Sequence, residues 1–357
     1  MLKLTAIFLL ALSSFTIYAQ GITAPRVPSP AAAVSQTIGI STVTVKYSRP
    51  SVKGREVWGA LVPYGWNVQA FGLGNSAPWR AGANENTVIT FSHDAKVEGK
   101  AVPAGSYGLF FVINKDNTGE VILSKDYRSW GSFFYDEKND LFRSKIQLRD
   151  ISNTELLTYD FTNITKTSAD MVLMWEKKEF PVKIEYDVDN IVMANAEEEL
   201  KSTTGFSYLG FLSAARYSLQ NKVNYEEGLK WADQAIAINK SFNTLNVKAD
   251  LLKATGKADE AYKVMDEALP IANENELNLY AYQLLNNKEN DKAIKAFILN
   301  TQRNPKSANV WDSLGEGYAL TGDKKNAIAN FKKSLSLNPP AATKANSEKY
   351  LKQLGAM

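Results

Sequence analysis

Between residues 78 and 87 the chain reads PWRAGANENT, which sets Trp79, Arg80, Asn84, Glu85 and Asn86 around small residues and one turn. These side chains have recognisable chemistry. A guanidinium fork binds carboxylate, phosphate or sulfate through two parallel hydrogen bonds. A Trp ring beside amides and a carboxylate can hold a sugar by stacking and fixed hydrogen bonds. Arg49 and Arg55, in YSRPSVKGR (47–55), add two more forks at the end of a strand-like segment. If these loops share one end of a fold, Arg49, Arg55, Trp79, Arg80, Asn84 and Glu85 form a candidate ligand site. A structural reading stands beside this one. Arg80 and Glu85 pair, Asn84 and Asn86 cap the turn, Gly82 supplies backbone freedom and Trp79 plugs the end of the fold.

Catalysis has fewer residues to work with. His93, in FSHDAKV, is the sole histidine and there is no cysteine. Histidine-cluster metal sites, thiolate sites, disulfides and cysteine nucleophiles are therefore excluded. His93 reads as a turn residue at a strand end, and no nucleophile-elbow sequence offers a triad serine. The alternative is a carbohydrate-active or other hydrolytic enzyme with Arg49, Arg55, Arg80 and Glu85 at its site; glycosidase chemistry would pair Glu85 with a second carboxylate, for which Asp136, Glu137 and Asp140 of YDEKND are the candidates. That acidic cluster lacks calcium-loop spacing. The expectation is a non-catalytic protein without metal or cofactor, with the hydrolase as its rival.

The chain has 357 residues, enough for two domains. Its first 19 residues carry Lys3, an apolar run from Leu4 to Ala11 and Ala19 before Gln20. This is the layout of a cleaved secretory leader, its apolar part short of the roughly 20 residues that span a bilayer. Residues 1–19 are expected to be removed on export, the periplasm being favoured over the medium, with no membrane insertion afterwards. Losing Lys3 leaves 40 basic against 38 acidic residues. Divided near residue 188, each part has one excess positive charge. That is too little for nucleic-acid binding.

Two hydrophobic periods divide the chain. Within a first domain spanning residues 20–188, the segment from Ser41 to about Val188 is strand-like: TVTVKYS alternates with period two, and TVITFS, SYGLFFVIN, GEVILS, ELLTYDFT, MVLMWEK and PVKIEYDV follow between turn clusters. The expected fold is an all-β antiparallel sandwich. Residues 189–203 read as a linker or leading helix, and residues 204–357 as an all-α solenoid of about four repeats. Ala293 and Ala327, Phe297 and Phe331, and Pro305 and Pro339 are each 34 residues apart, the length of a tetratricopeptide repeat. Trp311, Leu314, Gly315, Tyr318, Gly322, Ala327, Phe331 and Pro339 resemble that consensus in order. Gly315 and Ala327 let two helices approach, and Trp311, Leu314, Tyr318 and Phe331 fill the space between helices.

The resemblance to tetratricopeptide proteins implies a concave groove, lined by the first helix of each repeat, that holds a protein or peptide partner. By register that groove carries Asn243, Asn246, Asp250, Asn278, Tyr282, Asn309, Asp312 and Glu316. Amides donate to and accept from an extended backbone. No basic clamp for a terminal carboxylate stands at these positions, so a basic or neutral peptide suits them. The alternative is that these amides are simply tolerated on exposed helix turns.

In the β half, SPAAAVSQTIGISTVTVKYSRPSVKGREVW (29–58), WRAGANENTVITFS (79–92), GKAVPAGSYGLF (99–110) and WGSFFYDEKNDLFR (130–143) resemble the domain-of-unknown-function 2911 family. This family consists of secreted bacterial proteins often followed by tetratricopeptide repeats. The resemblance spans roughly residues 28–172, supports export and names no catalytic residue. The segment 67–78 is longer than usual for it. A second recognition module, for a small polar or glycan ligand, is the expectation for this domain.

Overall fold

The computed structural model describes residues 29–356. The leader expected at residues 1–19 lies outside the described residues. The chain divides into two units between Val188 and Asp189.

Among the described residues the first unit contains twelve strands: β1 (Ala31–Ile38), β2 (Ser41–Ser48), β3 (Asn67–Val68), β4 (Ser76–Ala77), β5 (Thr87–Phe91), β6 (Ala95–Val97), β7 (Lys100–Val102), β8 (Gly105–Ile113), β9 (Thr118–Ser124), β10 (Asp140–Gln147), β11 (Arg149–Thr162) and β12 (Ser168–Glu185). They form a six-stranded sheet in the order β1-β2-β5-β8-β9-β10, a four-stranded sheet β11-β12-β6-β7 and the small β3-β4 hairpin. All pairings are antiparallel. The alternation in β2 is real in space: Val43, Val45 and Tyr47 are buried while Lys46 is exposed.

Central strand β8 is apolar without alternation because both of its faces are covered. On one, Phe111 packs near Phe180 of β12, with ring centroids 5.2 Å apart. On the other, Phe110 and Val112 cluster with Ile122, Tyr135, Ala77 and Trp66. The long segment around β3 and β4 thus roofs the outer face of this sheet. Two strands expected separately, 171–177 and 181–188, are one continuous β12, which turns through Glu176 at φ 51°. The turn cluster expected at 97–105 overlaps the short β6-β7 hairpin and includes all of β7.

The second unit contains α1 (Val188–Glu199), whose first residue lies at the boundary, then α2 (Tyr208–Asn221), α3 (Tyr225–Ile238), α4 (Phe242–Ala254), α5 (Ala258–Ala268), α6 (Glu274–Asn286), α7 (Asn290–Arg303), α8 (Ala308–Leu320), α9 (Lys324–Ser336) and α10 (Ala341–Gln353). Helices α2 to α9 form four antiparallel pairs, and α10 packs on α8 and α9. Starts are set by caps: Ser241 and Asn273 each form a reciprocal capping box, with Thr244 and Glu276. Within the fourth pair a Cβ on Gly315 would lie 2.9 Å from the Phe331 ring, so glycine permits the close approach. Trp311 departs from expectation. It is half-buried at the margin, donating from Nε1 to the Pro305 carbonyl at 2.9 Å, while Leu314, Tyr318 and Phe331 occupy the core clusters.

Candidate functional site

The busy turn is a loop thrown out of the sheet. Trp79 exchanges two backbone hydrogen bonds of 2.9 Å with Phe111, and the chain rejoins β8 at Thr87, opposite Leu109. Residues 80–86 bulge between these two points. Ala81 at φ 54° and Asn84 at φ 63° take the left-handed backbone here, not Gly82 as expected. Gly82 serves by lacking a side chain: a Cβ there would stand 2.8 Å from Thr87 Oγ1. The loop is locked by Thr87 Oγ1 and Tyr159 Oη, which donate to the Ala81 carbonyl at 3.0 and 2.9 Å. Asn86 Nδ2 donates to Asp126 O at 3.1 Å and Asn84 Nδ2 to Ser29 O at 3.3 Å.

This loop forms one wall of a cleft of about 520 Å³. Arg55, Trp79, Arg80 and Asn84 all line it, joined by Lys53 and by Trp175. Arg49 and Glu85 are not among the lining residues. Arg49 instead ties the two sheets, donating from Nε to Leu157 O at 3.0 Å and from Nη2 to Thr158 Oγ1 at 2.6 Å. No Asp or Glu is found among the described lining residues, so a glycosidase-type carboxylate pair is not assembled there.

Behind the cleft the indoles form a packed block. Trp79 stacks on Trp175 at 5.8 Å and 17°, and Trp58 meets both edge-on at 5.7 Å. The half-buried Arg80 lies with its guanidinium carbon 4.9 Å from the Phe133 ring centre. Its Nη1 donates to Asn84 O at 2.7 Å. Among the described residues no carboxylate forms an ion pair with it, and burial lowers its pKa. Arg55 is exposed and folds back on its own loop, donating from Nε to Val52 O at 3.0 Å and from Nη2 to Ser51 O. Lys53 and the amides Asn67 and Gln69 complete the polar rim. Sequence reasoning missed Lys53, Asn67, Gln69 and Trp175; the extra length at 67–78 was the one signal for the rim.

His93 is remote from this lining and shares a 3.0 Å hydrogen bond with Ser92 Oγ. The YDEKND acids are engaged locally. Asp136 accepts from the Lys138 backbone at 3.0 Å, and Arg143 bridges Glu137 at 3.0 Å and Asp140 at 2.7 Å. No cluster of three His, Cys, Asp or Glu able to hold a metal is found among the described residues. No helix among them is long and apolar enough to cross a membrane.

In the repeats, the candidate groove residues fall on the first helices of successive pairs, but most are bonded between helices. Asp250 accepts from Asn246 at 3.3 Å and from Gln283 at 3.2 Å. Tyr282 and Tyr350 both donate to Glu316, at 2.9 and 3.0 Å. Asn243 Nδ2 stands 3.4 Å from Glu276. Asp312 is no open groove residue: it is 6 % exposed and accepts from Asn346 at 2.8 Å and Ser347 at 2.5 Å on α10. The 34-residue period sets equivalent positions side by side, so polar types there meet each other first. Asn309 is half-buried on the same row. Asn246 Oδ1 and Asn278 Oδ1 are buried without a hydrogen-bond partner. Burial raises the pKa of Asp250 and Asp312.

Residues 29–184 match the family described as protein of unknown function (DUF2911), and residues 308–340 match a tetratricopeptide repeat. The β-rich domain thus carries the DUF2911 match over nearly its whole described length, and the helical array that follows contains a tetratricopeptide repeat at residues 308–340. No curated protein matches the chain. Similar solved structures include YrrB, described as a TPR protein with an unusual peptide-binding site, at 14% identity over 45% of this chain and 84% of that one, with a TM-score of 0.30. PilF of Pseudomonas aeruginosa is 20% identical over 43% of this chain and 71% of its own, with a TM-score of 0.30. MamA is 15% identical over 44% and 91%, with a TM-score of 0.31.

Proposed function

We propose that this chain is an exported, non-catalytic binding protein whose repeats hold an extended peptide of basic or neutral character along the row of first helices. The observation that carries this reading is the pair Asn246 and Asn278. These stand at equivalent positions on adjacent helices, each with a buried acceptor oxygen lacking a partner. An unsatisfied buried acceptor costs roughly 1–3 kcal/mol, and a peptide N–H laid across the row removes that cost. Asp250, Glu276 and Glu316 beside it give a negative field that favours Lys and Arg. The leader-like residues 1–19 support export, which N-terminal sequencing of the protein from the cell envelope tests by a start at Gln20.

The binding test is fluorescence anisotropy of labelled peptides, Lys- and Arg-rich, neutral and Glu-rich, against the mature chain. Basic and neutral peptides are expected to bind, the basic ones more weakly as salt rises. The Asn246→Ala, Asn278→Ala double variant is expected to lose at least about tenfold in affinity, as for one to two lost hydrogen bonds. Preferential binding of Glu-rich peptides, or a double variant that binds as the wild type does, would refute the reading.

A further inference from the structure

The β-domain cleft is built for a ligand of a different kind, independently of the peptide reading. Lys53, Arg55 and Arg80 contribute three cationic side chains to its lining, and the described lining contains no acid. A folded surface ordinarily intersperses the two signs; a concave, one-signed patch beside aromatic walls focuses field onto an anion. Arg80 is the central element. Its guanidinium is half-buried against Phe133, spends one hydrogen bond on Asn84 O, and keeps further N–H donors of its rigid fork available. Gly131 covers it so closely that a Cβ there would fall 2.3 Å from Nη1. The fork is therefore fixed before any ligand arrives, which lowers the ordering cost of binding.

The remaining lining defines the rest of the ligand. Trp79, Trp175, Pro63, Pro78 and Val62 form an apolar wall, while Asn67, Gln69 and Asn84 place amides near the opening. The volume, about 520 Å³, lies within the range of small-molecule sites, roughly 300–1,000 Å³. We infer that this cleft binds a small carboxylate-bearing ring compound, a sugar acid in particular. The carboxylate sits on the Arg80 fork with Arg55 and Lys53 beside it, the ring lies against the indole wall, and hydroxyls meet the rim amides.

Thermal shift and titration calorimetry on the mature full-length chain test this with glucuronate, glucose, benzoate and inorganic sulfate. Glucuronate is expected to bind and raise the melting temperature by mass action, glucose to do neither, and benzoate and sulfate to bind more weakly. Arg80→Gln is expected to abolish glucuronate binding. Because Arg80 also packs against Phe133, the exposed Lys53→Gln is the second variant, expected to weaken binding at least about tenfold while leaving the variant folded with a cooperative unliganded melting transition. Benzoate binding tighter than glucuronate would overturn the sugar-acid assignment. Equal binding of glucose and glucuronate, no binding by any of the four, or glucuronate binding unaltered in both variants would overturn the site itself. Peptide binding by the repeats is read separately, so failure of either leaves the other standing.

Discussion

The phenolic oxygen of Tyr282 lies 2.9 Å from Oε2 of Glu316, a residue 34 positions further along the chain. One repeat length therefore converts directly into a bond between neighbouring helices. Tyr350 repeats the relation from the other side, donating to Oε1 at 3.0 Å. Tyr282→Phe removes a donor from a half-buried carboxylate and is expected to cost about 1.5 kcal/mol. Urea unfolding of Tyr282→Phe, Tyr350→Phe and the double variant checks this. Strict additivity would mean that the two hydroxyls do not cooperate through Glu316.

Phe331 and Gly315 supply the fourth pair's close contact. Phe331 is fully buried and stacks on Tyr350 at 5.1 Å and 13°. Phe331→Ala is expected to lose about 4 kcal/mol. Gly315→Ala presses a methyl into the same ring and is expected to cost about 1–3 kcal/mol. If Phe331→Ala restored Gly315→Ala, so that the double variant were no worse than Phe331→Ala alone, the contact would be confirmed as the cause. Independent losses would argue against it.

Gly131 links backbone conformation to the cleft. It sits at φ 60° over the Arg80 guanidinium. In Gly131→Ala, the left-handed backbone alone costs about 1–2 kcal/mol, and the new methyl must displace the fork. A lowered melting temperature together with lost glucuronate binding is the expected result. Binding that survives unchanged would show that the fork tolerates displacement.

Two carboxyl groups of the repeats, Asp312 and Asp250, should contribute against the common acid-destabilising trend. Burial raises the carboxyl pKa of Asp312 more than Ser347 and Asn346 lower it, and the same balance holds at Asp250 against Gln283. A carboxyl with a raised native pKa binds a proton more readily folded than unfolded, so its contribution falls as pH rises. The window runs from the unfolded value near about 4 up to the raised native value. Differential scanning calorimetry across that window should show a shallower loss with rising pH in Asp312→Asn than in the wild type. Identical slopes would remove Asp312 from the account.

The solenoid was legible because its signal is redundant: Ala293, Ala327, Phe297 and Phe331 mark the same period, and small residues at crossings are required by packing. Strand β1 was not, because it lies at a sheet edge and, until the buried Ile38 at its end, its side chains alternate only between exposed and half-buried. Ala31, Ala32 and Ala33 carry no strand signal there. The residue types of the cleft were legible in Arg55, Trp79, Arg80 and Asn84, which lie in two nearby loops. Lys53 shares the loop of Arg55 and was passed over, whereas Asn67 and Trp175 reach the cleft by tertiary folding alone. Arg49 was misread because its nearest partners, Leu157 and Thr158, lie more than a hundred residues away on another sheet. On the repeat face, the period that sets the polar types on the first helices also pairs them with one another.

Helix α10 covers the Phe331 side of the array and supplies Asn346, Ser347 and Tyr350 to the carboxylates of α8. Its opposite surface is rich in exposed polar residues such as Lys344, Lys349 and Lys352. One amphipathic helix thus does two things at once: Leu351 shields the Phe331 ring from water while Lys349 and Lys352 keep the outer surface solvated.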